Sequence, residues 1–299
     1  MRFLKVFFLV FAVLVLAACS PAQPEQGGMP IPNQVYIQNK GSDTMVNFAL
    51  AWAEKYQAEH PEVRISVTGG GSGTGISALL TRTVDIANAS RAIKPDEISQ
   101  AEKAGTTPVE FAVARDAIAV IVNPQNPIGE LTLQQISDIY TGKINNWSEL
   151  GGEDRPILRL SRETNSGTHV YFLEEVIRLG NKKDKTIFSA DTLLLPSSEG
   201  IIAEVRDNPN AIGYDGLGYI THEVKMIAVQ DKDGGPYVLP SVESVNEGAY
   251  AISRELFMYT NNEPQGAVKE YLDWIFTAEA QKIVKDLGFV PVLIEGASK

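Results

Sequence analysis

Apolar and polar positions along the first third of this chain switch cleanly between two periods. Val35-Tyr36-Ile37-Gln38 predicts a short strand. After Ser42-Asp43-Thr44, apolar residues fall at Met45, Ala49, Trp52, Ala53 and Tyr56, a helical stripe that stops before Pro61. Val63, Ile65 and Val67 then alternate with polar neighbours, which predicts a second strand. A glycine-rich turn over Gly69 to Gly75 leads to a short helix around Ile76, Leu79 and Leu80. Val84-Asp85-Ile86-Ala87 predicts a third strand, ending at Ala89-Ser90-Arg91. The order βαβαβ is that of a parallel sheet covered by helices, and ligands of such sheets bind beyond the carboxyl ends of the strands.

The pattern resumes near Ala117. Ile118 to Val122 predicts a buried strand, Leu131 to Tyr140 a helix, and Ile157 to Leu160 a strand that delivers Arg162. Tyr171 to Leu179 predicts the helix behind it, and Ala211 to Tyr214 and Val224 to Val229 predict further strands. Gly248 to Ile252 and Leu256 to Tyr259 read as extended; Val268 to Phe276 and Ala278 to Leu287 read as a terminal helix pair. What repeats is a unit, strand, hydroxyl-bearing turn, helix, on both sides of a lobe boundary expected near Phe111–Arg115. The fold class is α/β, and two lobes with turns at both mouths would close on a ligand like a hinge.

The N-terminus adds a compartment. A positive start is followed by an unbroken apolar run of eleven residues, Val6 to Leu16. That is too short to span a membrane and suits a secretion signal over residues 1–18. Leu16-Ala17-Ala18-Cys19 matches a bacterial lipobox, with Cys19, the only cysteine, as the acylated residue; the alternative is a plain signal peptide. Residues 19–33, rich in Pro, Gly and Gln, read as a flexible tether. The chain is then expected to be extracytoplasmic and lipid-anchored to the bacterial membrane, at the cell surface or in the periplasm. The net charge of −11 argues against nucleic acid as a partner. It does not exclude a small anion, because exposed charges are screened within about 10 Å at ordinary salt.

Three turns carry the candidate chemistry: Gly41-Ser42-Asp43-Thr44-Met45, Gly70-Gly71-Ser72-Gly73-Thr74-Gly75 and Arg162-Glu163-Thr164-Asn165-Ser166-Gly167-Thr168. A helix start offers unpaired N–H groups and a partial positive charge. Backbone N–H groups of Thr44, Met45, Gly73 and Thr168, hydroxyls of Ser42 or Thr44, Ser72, Ser166 and Thr168, and the fork of Arg162 make a donor set for a tetrahedral oxyanion. The glycine turn lacks the Gly-Lys-Ser/Thr ending of a P-loop, and Ser166 is not in a Gly-x-Ser-x-Gly elbow. His60, His169 and His222 lie far apart with no second ligand at metal spacing. No metal, cofactor or catalytic residue is expected, and the chain is not expected to be an enzyme.

On these residues the chain resembles the phosphate-binding proteins of bacterial Pst-type ABC transporters, of the periplasmic-binding-protein superfamily. The most specific pieces are Gly41 to Thr44, Gly69 to Gly75, Val84 to Ile86 with Ala89-Ser90-Arg91, and Arg162 with Ser166-Gly167-Thr168. Leu131 to Leu133, Tyr140 to Trp147, and Gly213 to Tyr219 resemble the same family. The resemblance implies a type II two-lobed fold, each lobe a helix-covered mixed sheet with a hinge between, lobe 1 over 34–113 plus 249–299 and lobe 2 over 114–248. It implies that Thr44 and Met45 bind from the first helix start, Ser72 from the second, and Arg162, Ser166, Gly167 and Thr168 from the other lobe. It implies capture of inorganic phosphate by a monomer, and delivery to permease subunits served by a separate ATPase. A phosphate-sensing protein or a secreted phosphatase on the same scaffold is the alternative.

Two positions depart from the family pattern. After the Ser matching Ser90, family members place an Asp that accepts the phosphate proton and so rejects sulfate; here the residue is Arg91. A second acidic position is Thr164, with Glu163 one residue earlier. Asp43 or Glu163 is therefore expected to supply the acceptor, and Arg91 to be either a ligand contact or a surface or lobe-interface residue.

Overall fold

In a computed structural model the described residues run from 34 to 292. The expected signal segment, Cys19 and the tether lie outside the described residues. The elements in order are β1 (Val35–Gly41), α1 (Val46–Glu59), β2 (Val63–Thr68), α2 (Ser72–Leu80), β3 (Ile86–Ala89), α3 (Pro95–Lys103) and β4 (Pro108–Val122). Then come β5 (Glu130–Thr132), α4 (Leu133–Tyr140), β6 (Leu158–Arg162), α5 (Gly167–Tyr171), β7 (Leu193–Leu195), α6 (Ser198–Asp207) and β8 (Ala211–Gly216). The rest are β9 (Lys225–Met226), β10 (Ala228–Gln230), α7 (Val242–Asn246), β11 (Ser253–Asn261), α8 (Gly266–Ile275), α9 (Ala278–Asp286) and β12 (Val290–Pro291).

β1 pairs in parallel with both β2 and β3, so the βαβαβ order builds the parallel sheet that its pattern predicts. The stripe on α1 buries Phe48, Ala49, Trp52, Ala53 and Tyr56 against that sheet's core. Trp52 meets Phe48 edge to face at 4.8 Å and donates its indole N–H to Ala280 O at 2.7 Å. A buried indole N–H without a partner would cost about 1–3 kcal/mol, so this bond ties α1 to α9.

β4 joins the two halves of the sheet. Its first ten positions, Pro108 to Ala117, run antiparallel to β11, which also pairs with β3. Ile118 to Val122 then run antiparallel to β8, which leads on to β6 and β7. Phe111–Arg115, read from the sequence as a boundary, therefore lies inside one continuous strand. Its charged residues, Glu110, Arg115 and Asp116, hid the extension from a pattern that looks for unbroken apolar runs.

Other boundaries shift for local reasons. The helix expected from Leu131 begins at Leu133, because Glu130 to Thr132 pair with β10 and Thr132 caps α4 by accepting from Gln135 N at 3.0 Å. Gly248 to Ile252 belong to no regular element. The helix behind the third turn widens to a π-helical turn over Phe172–Ile177. There Phe172 stacks on Tyr214 of β8 at 3.6 Å between centroids, which fixes the start of α5 over the second half of the sheet.

Candidate functional site

The first turn leaves β1 at Gly41. Ser42 N donates to Asn88 O at 2.9 Å, and Asp43–Met45 wind as a 3-10 turn into α1, with Thr44 and Met45 buried. Ser42 is buried too, yet its hydroxyl does not cap the turn. Among the hydroxyls of the turns, that of Thr44 reaches farthest: Thr44 Oγ1 lies 2.9 Å from Thr168 Oγ1, at the start of α5 and 124 residues away in sequence.

The second turn opens α2. Ser90, just past β3, donates its N–H to Ser72 Oγ at 3.0 Å, and the two side-chain oxygens stand 3.2 Å apart. Gly71 has φ +87°, a backbone conformation that favours glycine, and an added Cβ would meet Asn165 O at 2.9 Å. Asn165 clamps this turn: its carbonyl accepts from Gly73 N, and its Nδ2 donates to Gly70 O, both at 3.0 Å. Gly73 N, expected to face an anion, is thus spent on Asn165. Thr74 Oγ1 stands 3.5 Å from Asn165 Nδ2, beside the same clamp.

The third turn follows β6. Ser166 Oγ accepts from Thr168 N at 3.2 Å as an N-cap, and Ser166, Gly167 and Thr168 are all buried. Gly167 is forced by proximity, since a Cβ there would crowd both Ser72 Oγ and Ser90 Oγ. Arg162 is buried to 1% exposure. Its Nη2 donates to Asp43 Oδ2 at 2.9 Å and to Pro196 O at 2.8 Å, and its Nη1 donates to Ser198 Oγ at 2.8 Å. Asp43 Oδ1 accepts from Gly70 N at 2.9 Å, and Tyr219 OH donates to Asp43 O at 2.6 Å. Glu163 is exposed.

Arg91 turns elsewhere. Its fork engages both oxygens of Glu97, at 2.7 and 2.8 Å, and Nη1 also donates to Ala92 O at 2.9 Å. Glu97 accepts from Lys94 N at 2.8 Å and so caps α3, which makes Arg91 part of that cap. Its expected role as a ligand contact is not what this geometry provides, because its fork is taken up face to face by the Glu97 carboxylate that caps α3, away from the three turns.

Several groups at the junction went unnoticed in the sequence. Arg254 on β11 donates to Thr168 Oγ1, Ser90 O and Asp116 Oδ2, each at 2.9 Å. Asp116 and Asp215 are fully buried, and Asp215 Oδ2 lies 3.6 Å from Arg162 Nη1. Burial pushes the Asp116 carboxyl up to about 6, opposed by Arg254 and reinforced by Asp215. Burial raises Asp215 as well, with Arg162 opposing. The available signal was a charged residue embedded in an apolar strand, which is costly unless paired. His169 does not face Ser166: its Nδ1 lies 3.0 Å from Ser161 Oγ, its ring stacks on Phe188 at 4.5 Å, and burial lowers its pKa. Among the described residues no cluster of His, Cys, Asp and Glu is arranged to hold a metal ion.

The hydroxyls share one wiring. Ser72 Oγ accepts from Ser90 N, Ser166 Oγ from Thr168 N and Thr168 Oγ1 from Arg254, while the Ser72–Ser90 and Thr44–Thr168 pairs each use one hydroxyl proton between them and keep the other. A group of buried hydroxyls whose acceptor sides are used is a donor set, suited to an oxygen-rich anion.

A family model described as a PBP superfamily domain matches residues 28–279. The phosphate-binding protein PstS of Pseudomonas aeruginosa is 31% identical across 97% of this chain and 93% of its own length. PstS of Bacillus subtilis is 33% identical across 84% of this chain and 79% of its own length. A candidate phosphate ABC transporter substrate-binding protein from Clostridium perfringens, solved with bound phosphate, is 33% identical, with TM-score 0.77. The match covers 87% of this chain and 100% of that one. An ABC-type phosphate transport receptor from Vibrio cholerae is 28% identical with TM-score 0.69, over 86% of this chain and 100% of that one.

Proposed function

The chain belongs to the periplasmic-binding-protein superfamily and, within it, to the PstS phosphate-binding proteins, and on that premise we propose that it captures inorganic phosphate between two lobes and delivers it to an ABC permease. The observation that carries the reading is the approach of Thr44 Oγ1 to Thr168 Oγ1 at 2.9 Å. It brings helix starts from the two halves of the sheet into one donor set beside the buried Arg162. Phosphate offers four oxygens, and a buried anion is tolerated only where such donors replace its water.

In this reading Thr44 binds from α1's start, Ser72 and Ser90 from the β3 side, and Ser166, Gly167, Thr168 and Arg162 from the far side, while Met45 N, expected to join them, donates to Ser42 O at 3.1 Å. Asp43, 2.9 Å from Arg162, accepts the phosphate proton in preference to the exposed Glu163. Lobe 1 comprises 34–113 with 249–299, and lobe 2 comprises 114–248. Cys19 carries a lipid that holds the chain at the outer face of a membrane, and no helix among the described residues is long and apolar enough to cross one. The chain acts as a monomeric carrier without catalysis, and a separate ATPase drives import.

Calorimetric titration of the purified chain with phosphate and with sulfate tests the proposal. Saturable heat with phosphate and at least tenfold weaker sulfate binding is the expected outcome; no heat with phosphate would reject it.

A further inference from the structure

Arg254 is a buried cation that no turn in the sequence announces. It leaves β11 with its side chain 2% exposed and bonds three separate elements. Nη1 donates to Ser90 O past β3, and Nη2 donates both to Asp116 Oδ2 on β4 and to Thr168 Oγ1 at the start of α5. Its guanidinium also lies 5.6 Å from the ring centre of Tyr171, whose hydroxyl donates to Ser253 O at 2.6 Å. Both terminal nitrogens are thus tied to fixed groups on three elements.

A guanidinium only donates, whereas a hydroxyl has one proton and two lone pairs. Thr168 Oγ1 therefore spends one lone pair on Arg254, and with the other accepting from Thr44 Oγ1, 2.9 Å away, it keeps its proton. A charge-assisted bond into the oxygen polarises the O–H and strengthens it as a donor. Ser90 is fixed at the same time, because its carbonyl accepts from Arg254 while its N–H holds Ser72 Oγ.

We propose that Arg254 is a positioning residue of the anion site. It commits the Thr168 hydroxyl to donate to a phosphate oxygen, and it holds the Ser72–Ser90 pair in register with that hydroxyl. Asp116 balances its charge, so Arg254 acts on the ligand through Thr168 rather than as a free cation. The inference rests on the phosphate reading given above and extends it to a residue on a different strand from any of the three turns.

Arg254→Met alone would leave Asp116 buried without its partner, which can unfold the chain. The informative variants are Asp116→Asn, the double variant Arg254→Met with Asp116→Asn, and Arg254→Lys, each made with Thr168 intact and with Thr168→Val. Phosphate affinity is read by calorimetry on the full chain. The double variant should bind at least about tenfold more weakly than Asp116→Asn, and Arg254→Lys should stay within about threefold of the unsubstituted chain. With Thr168→Val in place, loss of Arg254 should cost a clearly smaller factor, since the hydroxyl it orients is gone and only its hold on Ser90 O remains. If removing Arg254 costs the same factor with or without the Thr168 hydroxyl, or nothing in a folded chain, the inference is overturned. Heat from the unsubstituted chain with unchanged variants overturns this inference alone. No heat from the unsubstituted chain overturns the phosphate reading and this inference with it.

Discussion

Gly167→Ala places a methyl group where the donors of the two halves come closest. A Cβ built there falls 2.5 Å from Ser90 Oγ, closer still to Ser72 Oγ, and 3.1 Å from the Ser90 carbonyl carbon. Comfortable contact is about 3.5 Å, so the overlap with each hydroxyl is about 1 Å. Neither serine moves alone, because Ser90 N donates to Ser72 Oγ at 3.0 Å. Two effects on stability oppose each other. Alanine gains up to about 1 kcal/mol over glycine in a helix, and overpacking costs about 1–3 kcal/mol. The net loss is at most about 3 kcal/mol, a fall of several degrees in Tm for a chain of this size. Binding is hit harder, because the displaced groups are the ones assigned to the anion. Losing one hydrogen bond to a charged ligand costs about 1.5–3 kcal/mol, or at least about tenfold in Kd. Paired thermal melts and calorimetric phosphate titrations of both chains read the two effects separately. A lower Tm with affinity within about twofold of the parent would make Ser72 and Ser90 packing groups and refute the reasoning.

Three further outcomes are expected. Asp43→Asn removes the proposed proton acceptor beside Arg162, so the phosphate-to-sulfate affinity ratio should fall by about tenfold or more; an unchanged ratio in competition titrations places the acceptor elsewhere. Asn165→Ala deletes the side-chain bond to Gly70 O, worth about 1 kcal/mol, and should speed phosphate release about fivefold in stopped-flow; an unaltered rate would show that the clamp does not hold the site closed. Burial would raise Glu97, but its bonds to Arg91 and Lys94 N outweigh that and hold its carboxyl below its usual value of 4.5. Its stabilising contribution is therefore present above about pH 4.5 and lost as pH falls through the lower folded value. Urea melts of Glu97→Gln and the parent should differ at pH 7 and converge in acid; a gap independent of pH would contradict this assignment.

How much of this was legible depended on distance along the chain. Val63, Ile65 and Val67 mark β2, and Met45 to Tyr56 mark α1, because one face of each is buried and the period survives. The helix α3 left no stripe: of its nine residues only Ala101 is buried, so its formation rests on Pro95 and the Glu97 cap. The π-helical turn at Phe172–Ile177 answers to the Phe172–Tyr214 stack, a tertiary contact with no local signature. The hydroxyl turns were readable because Gly, Ser and Thr at a helix start are local signals. Arg254 and Asp116 were not, because their meaning arises only when β11 and β4 pair and bring them within 2.9 Å of each other. Arg91 shows the converse: its position suggested the ligand, while Glu97, six residues on, takes its fork.

The central claim is a single anion site shared by both halves of the sheet, and a crystal structure of the chain grown with phosphate tests it most directly. The account predicts one tetrahedral anion within hydrogen-bond distance of Thr44 and Ser72 from one side and of Ser166, Thr168 and Arg162 from the other. Phosphate bound by one side alone, or bound away from these turns, would contradict it.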